Sequence, residues 1–168
     1  MLLIVIENNY KISHSILEDT AMTDYEQYEK ECEKIRKDND ECLKLFENDL
    51  ILSGLSQKTI SRHFTNVDFY INEYLLYDDP CPMEDGVWKI DDYLGFFFIR
   101  KCMWSTPGTI KSTAASIKKF YKSMLNHGKI DKEDYDHLCF QIKEGMVQWQ
   151  TDCALYNDPD EPNPFDIF

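Results

Sequence analysis

Apolar residues recur every three or four positions along most of this chain, the spacing that places them on one face of an α-helix. A first helix is predicted to begin at a capping box, Thr23-Asp24-Tyr25-Glu26, and to end at Gly54. Its apolar face comprises Tyr25, Tyr28, Cys32, Ile35, Cys42, Phe46 and Leu50, with Asn39 at the skipped position. Because residues 26–41 are highly charged, we expect this half of the helix to lie away from the core.

Two more helices are predicted in the middle of the chain. The second begins after Ser56 and ends before Asp78-Asp79-Pro80-Cys81-Pro82, because two prolines interrupt a backbone hydrogen-bond ladder. Its apolar residues are spaced by four, three, four and three positions: Ile60, Phe64, Val67, Ile71 and Tyr74. A third, aromatic-rich helix is predicted from about Asp91 to Trp104, with an inner face of Ile90, Leu94, Phe97 and Phe98.

The last two helices have clear start signals. Thr106 is a predicted N-cap followed by Pro107 at the first helical position, and the helix ends at Gly128. Its apolar face is Ile110, Ala114, Ile117, Tyr121 and Met124. Asp131 caps a fifth helix, which fades near Tyr156 and has an apolar face of Tyr135, Leu138, Ile142, Met146 and Trp149. Since no alternating pattern persists after residue 6, the predicted fold is all-α, a compact bundle of about five helices.

The ends of the chain differ from this helical region. Residues 23–156 are predicted to form a single domain, preceded by an N-terminal arm, residues 1–22, and followed by a disordered acidic tail, residues 157–168. The apolar start MLLIVI is too short to span a membrane, and no other stretch approaches that length. The six cysteines form no CxxC pair or Cys-His cluster. We therefore expect a soluble, cytoplasmic protein with reduced cysteines, no metal and no membrane association.

Charge is distributed unevenly along the chain. The whole sequence carries a net charge of −13, which by itself argues against a nucleic-acid partner, because phosphate binding depends on Lys and Arg. The balance is −7 over residues 1–53 and −8 over residues 130–168, but +2 over residues 54–129. A basic surface is therefore expected only in the middle of the chain.

The fourth helix concentrates this positive charge. Between Thr106 and Lys129 there are five lysines and no acid. On a helical wheel three of the lysines share one flank, a fourth lies opposite the core, and three serines form a neighbouring stripe: Lys111, Lys118 and Lys122, then Lys119, then Ser112, Ser116 and Ser123. Lysines neutralise phosphates, and small hydroxyl residues let a helix approach a sugar-phosphate chain closely. The alternative is a solvated lysine face that keeps the helix soluble.

The second helix has a similar face opposite its apolar side. Lys58, Arg62, Thr65 and Phe69 recur there at steps of four, three and four. Arg and Thr are side chains that read base edges or hold phosphates. Asp68 and Glu73 flank this face and weaken the interpretation. In the alternative, Phe69 packs on another helix and part of the face is buried.

The order of these segments resembles a known DNA-binding domain. The run FENDLILSGLSQKTISRHFTNVDFYINEYL is similar to the opening of the SAM-like core-binding domain of phage-integrase-type tyrosine recombinases. The later runs IDDYLGFFFIRK and STPGTIKSTAASIKKFYKSMLNHGKI are similar to that domain's third and fourth helices. The resemblance covers residues 42–130.

In that family the domain forms one jaw of a C-shaped clamp around DNA, and its second and fourth helices approach the major groove and the phosphates. The resemblance therefore implies DNA contact through the two faces already described. The implied residues are Lys58, Arg62 and Thr65 on the second helix, and Lys111, Ser112, Lys118, Lys119 and Lys122 on the fourth.

We expect no counterpart of the family's catalytic domain, which carries an Arg, a Lys, a His-x-x-Arg motif and a nucleophilic Tyr. The residues after 130 include no arginine, so Tyr135 and Tyr156 lack the clamp that stabilises phosphoryl transfer. We assign no catalytic residue and no cofactor. The expected function is weak, salt-sensitive binding to double-stranded DNA, in the context of DNA recombination and integration.

A second hypothesis is a protein-protein interaction module that has lost DNA binding. Its partner would contact the acidic ends or an aromatic surface made of Phe69, Trp88, Trp104 and Trp149. In either case the acidic segments could shield the basic faces within the molecule.

Overall fold

The structure, a computed structural model, describes residues 23–166, so the predicted arm, residues 1–22, lies outside the described residues. Every regular element in that range is helical, which confirms the all-α prediction of about five helices. We number them α1 (Asp24–Leu52), α2 (Gln57–Asp68), α3 (Ile90–Asp92, Tyr93–Phe97 and Phe98–Lys101 in succession), α4 (Pro107–Asn126) and α5 (Lys132–Tyr156). A short 3-10 turn, Asp85–Trp88, precedes α3.

The predicted starts of α1, α2, α4 and α5 and the glycine stops of α1 and α4 are confirmed, whereas α3 ends at Lys101 and not at Trp104 as predicted. At α1, the Thr23 hydroxyl accepts a hydrogen bond from the Glu26 backbone amide, while the Glu26 carboxylate accepts from the Thr23 amide. Ser56, Thr106 and Asp131 cap α2, α4 and α5 in the same way, each through a side-chain oxygen that accepts a backbone N–H. The stops after α1 and α4 are glycines with positive φ, 71° at Gly54 and 68° at Gly128.

The second and third helices were predicted as continuous α-helices, but both contain π-helical segments. α2 continues as a π-helical segment, Phe69–Tyr74, and the middle of α3, Tyr93–Phe97, is also π-helical. Rings from the two segments pack together, with Tyr93 centred 4.7 Å from both Tyr70 and Tyr74. A π turn is closed by i→i+5 hydrogen bonds and departs from a period of 3.6, so the regular apolar spacing did not predict it.

The first half of α1 lies apart from the main core, as predicted, but it packs on the residues that follow α2. Cys32 and Ile35 are buried with Leu76 in a small cluster of their own. Asn39, at the position skipped by the apolar pattern, is buried and donates to the Ile71 carbonyl over 3.1 Å. The charged residues of this half occupy only its outer side.

Trp149 lies in the core between α3 and α5, which corrects its assignment to an aromatic surface. Its side chain is 2% exposed and its indole N–H donates to the Asp91 carboxylate over 2.8 Å. Gly95 and Gly145 make room for the ring, because a Cβ atom at either position would lie less than 3 Å from it. Of the remaining predicted surface aromatics, Trp88 and Trp104 are exposed and Phe69 is half-buried.

The described part of the tail, residues 157–166, comes after α5 and packs against α3. Phe165 packs edge-on against Phe96 and Tyr156, at centroid distances of 5.5 and 5.7 Å. Asn157 donates to the Ser105 carbonyl over 3.0 Å. Disorder of residues 157–168 stays a prediction, as does the division into arm, domain and tail. Within residues 23–166, no helix is long and apolar enough to cross a membrane.

Candidate nucleic-acid interface

α2 and α4 pack side by side and run in opposite directions. The middle of α2 contacts the middle of α4, where His63 and Asn66 both reach Ser116. At one end, Phe69, the first residue after α2, packs against Trp104, which precedes α4. This antiparallel packing places Arg62 of α2 and Lys119 of α4 beside the same residue, His63, while Lys122 lies on the α5 side of α4.

Ser116 is the hydrogen-bonding centre of this helix pair. Its hydroxyl lies 3.0 Å from the Ser112 carbonyl, 3.0 Å from Asn66 Nδ2 and 2.9 Å from His63 Nδ1. A hydroxyl has one hydrogen to donate and two lone pairs. All three contacts are satisfied together when Ser116 donates to the carbonyl and His63 carries its hydrogen on Nδ1. The buried contact between α2 and α4 is therefore polar and directional.

The predicted serine stripe is consequently wrong for two of its three members. Ser116 is fully buried, and Ser123 is buried with its hydroxyl donating to the Asp49 carboxylate over 2.6 Å. Ser112 is half-buried, and its hydroxyl donates to the Thr109 carbonyl over 3.1 Å. Hydroxyl groups at this spacing serve helix-helix packing here, since α4 is packed on both sides of its apolar stripe.

The pKa of His63 reflects the positive charges near the contact between α2 and α4. Burial lowers the pKa of His63 below its ordinary value of 6.5, and the positive charges of Arg62 and Lys119 lower this pKa further. Arg62 lies on α2 and Lys119 on α4. Both cations therefore lie close enough to act on one ring, which joins the two predicted faces at the level of His63.

We call the resulting surface the α2–α4 basic face, and define it by the predicted residues. Seven of the eight are exposed and Ser112 is half-buried: Lys58, Arg62, Thr65, Lys111, Ser112, Lys118, Lys119 and Lys122. Among the described residues, none of its six cations forms an ion pair with an acid. The Lys122 ammonium lies 5.3 Å from the centre of the Tyr135 ring on α5, so the face extends across α4 toward α5.

The acids beside this face are held by other groups. Asp49, at the end of α1, accepts from Ser123 and lies 3.1 Å from His127 Nε2. Asp68 accepts from the Asn72 amide over 2.7 Å. Asp49 nevertheless shares a small surface depression with Lys119 and Lys122, so it reduces the positive potential at that end. At the opposite end, near Trp104, the acids that flank the face are Asp68 and the exposed Glu73, on either side of Phe69 in the chain.

Trp104 lies at one end of the α2–α4 basic face, a position that the sequence did not predict. Its indole packs edge-on against Phe69, with ring centroids 5.7 Å apart, and 55% of the residue is exposed. Phe69 is the last member of the outer stripe of α2, and it is half-buried between the core and this loop residue. No periodic signal places Trp104 there, because it precedes α4 and meets α2 only through the tertiary fold.

Side chains with catalytic or metal-binding chemistry are dispersed in the structure. His137 packs on Trp88, with ring centres 3.8 Å apart, and His63 packs on Ser116. His14 lies outside the described residues. The pair Asp91 and Asp92 is used in packing, since Asp92 accepts from the Tyr74 hydroxyl over 2.7 Å. Between residues 23 and 166, no group of three or more His, Cys, Asp or Glu side chains is arranged to hold a metal ion.

Comparison of this chain with models of known protein families, with curated proteins and with solved structures finds no match. The resemblance to recombinase core-binding domains therefore rests on the sequence runs quoted above and stays a prediction.

Proposed function

We propose that this protein is a non-catalytic DNA-binding module that holds the phosphates of a duplex on the α2–α4 basic face. The observation that supports it is the antiparallel packing of α2 and α4, which brings Arg62 and Lys119 close to one another in a region whose exposed cations form no ion pair among the described residues. In a chain with a net charge of −13, such a surface is the part suited to a polyanion. The resemblance to recombinases adds DNA recombination and integration as the biological context.

The dimensions of the face suit a duplex. From Lys111 to Lys122, α4 rises about 16 Å, and a duplex carries about ten charges over that length. Six cations can neutralise at most six phosphates, which sets the salt dependence at a slope of about −5 in log K against log salt. The acidic remainder of the molecule repels the same duplex, so we expect weak binding that is lost at moderate salt.

A charge-reversal variant tests the proposal. Lys111, Lys118 and Lys122 are changed to Glu, and a labelled duplex is titrated by fluorescence anisotropy at low and moderate salt. We expect at least a tenfold loss of affinity at low salt and a slope shallower by about 3, because three phosphate contacts are removed. Circular dichroism checks that this variant, and the control variant described next, keep the helical fold.

The matched control reverses the charge of three lysines on α1, away from the basic face. Lys30, Lys34 and Lys37 are exposed on the outer side of α1, and their change to Glu alters the net charge by the same amount. A loss confined to the first variant supports the α2–α4 basic face. Equal losses in both variants, or no binding by the wild type, contradict the proposal.

The alternative function, protein interaction through the acidic ends and an aromatic surface, has less support. Trp149 is buried, and Trp88 is covered on one face by His137. The described tail packs on α3, where Phe165 and Arg100 lie close together, and no acid of residues 157–166 pairs with the basic face. If the wild type binds no DNA, this alternative becomes the function to test.

A further inference from the structure

We propose that Trp104 is a base-stacking residue at the end of the α2–α4 basic face, and that the module prefers DNA in which a duplex meets an unpaired strand. This inference rests on the proposed DNA-binding function and specifies the form of DNA that it binds.

The position of Trp104 continues the outer stripe of α2. Lys58, Arg62 and Thr65 point away from the core, and Phe69 is the next member of that stripe. The Trp104 indole packs on Phe69 at an interplanar angle of 79°. Since α2 rises about 16 Å between positions 58 and 69, the stripe leads from a cation at one end to an aromatic pair at the other.

The backbone around Trp104 is tied down, whereas its side chain is open. The Trp104 carbonyl accepts from the Thr109 hydroxyl over 3.2 Å, and the Ser105 hydroxyl donates to the Ile99 carbonyl over 3.1 Å. The indole is 55% exposed and the neighbouring Met103 is 99% exposed. A large apolar pair is thus presented to solvent from a fixed loop, at the end of the stripe that begins with Lys58 and Arg62. Prior ordering of this kind lowers the entropy that binding must overcome.

The chemistry of this end differs from that of the rest of the face. Cations contact phosphates without regard to base pairing, but an aromatic ring needs the flat side of a base. In a continuous duplex the flat sides are covered by neighbouring base pairs. They become accessible where a strand is unpaired, so the combination fits a duplex held on the cations with the first unpaired base against Trp104.

The test compares two DNAs that share one duplex. Both ends of one DNA are closed by flexible linkers that contain no bases, and the other DNA has one such closed end and a single-stranded extension at the other end. Stacking of one base on an aromatic side chain changes affinity by about 5- to 150-fold. We expect the wild type to bind the extended DNA more tightly by a factor in this range, and W104A to bind both DNAs with the affinity of the wild type for the closed one.

The matched control is W88A, because Trp88 is also 55% exposed but lies beside α5 against His137. It should keep the preference of the wild type. W104F, which retains an aromatic ring, should keep most of it, which separates stacking from a general loosening of the Phe69 contact. Tryptophan emission provides a second readout: the extended DNA should quench it in W88A and not in W104A.

The outcomes are distinct. Equal affinity of the wild type for both DNAs, or a preference that survives in W104A, overturns the role of Trp104 and leaves the basic face in place. A preference lost equally in W88A and W104A also overturns it. If the wild type binds neither DNA in the anisotropy assay, the proposed function fails and this inference fails with it.

Discussion

Two buried tyrosines that face each other across the π-helical segments should respond in opposite ways to loss of their hydroxyl groups. Tyr70 and Tyr93 are both fully buried, with ring centroids 4.7 Å apart. The Tyr70 hydroxyl donates to the Gly86 carbonyl over 2.6 Å. The Tyr93 hydroxyl is buried without a hydrogen-bond partner among residues 23–166. We predict that Tyr70→Phe destabilises the protein and that Tyr93→Phe stabilises it.

The contacts set the size of each effect. The Gly86 carbonyl also accepts from the Lys89 amide over 3.0 Å, so it keeps one donor when the Tyr70 hydroxyl is removed. The loss is then that of one ordinary hydrogen bond, about 1 kcal/mol. Removing the Tyr93 hydroxyl relieves the cost of burying an unpaired polar group, which we place at about 1 kcal/mol. Burial raises the pKa of both phenols, so ionisation does not contribute near neutral pH.

Urea unfolding, followed by circular dichroism at the helical band, measures both variants. The two midpoints should move in opposite directions while the m-value stays unchanged. A separation of about 2 kcal/mol corresponds to about 4–8 °C in the thermal midpoint for a domain of this size. Tyr121→Phe is the control, because its hydroxyl donates to the Met83 carbonyl over 2.7 Å and should behave like that of Tyr70.

The refuting result is a Tyr93→Phe variant that loses as much stability as the other two. That outcome would mean that the Tyr93 hydroxyl is paired in the folded protein. The packing of the two π-helical segments described here would then be incorrect.

Two further predictions concern the packing beneath and beside the basic face. Because burial lowers the pKa of His63, stability should be full above pH of about 6.5 and should fall as pH decreases from there toward the folded-state pKa. The urea midpoint should therefore drop more between pH 7.5 and 5.5 in the wild type than in His63→Asn, and equal drops would contradict this. Gly145→Ala should cost about 1–3 kcal/mol, since its Cβ would lie 2.2 Å from a ring carbon of Trp149. Gly108→Ala, whose Cβ meets its nearest neighbour at 3.8 Å, should be close to neutral by calorimetry.

The helix starts and stops could be predicted because their causes are local. A cap such as Thr106 requires only a side-chain oxygen within reach of an amide three residues later, and the sequence shows both partners. Gly128 likewise ends α4 through its own backbone freedom. The π-helical segments could not be predicted, because they depend on rings such as Tyr74 and Tyr93 meeting across two elements.

Exposure of the basic residues was also predictable, whereas the role of the serines was not. A charged side chain such as Lys118 avoids burial in any packing, so its place opposite the apolar stripe is sufficient. A small hydroxyl group suits either solvent or a helix contact. Ser116 is buried because Asn66 and His63 offer it partners, and that choice depends on which helix packs beside α4.

By itself, then, the sequence determined the number of helices, their caps and which cations face solvent, because each follows from interactions within a few residues. Only the tertiary structure decided that α2 and α4 are antiparallel neighbours and that Trp104 packs on Phe69 at one end of the basic face. These outcomes depend on contacts between residues far apart in the chain, such as Phe69 with Trp104. The period of a single helix carries no information about such pairs.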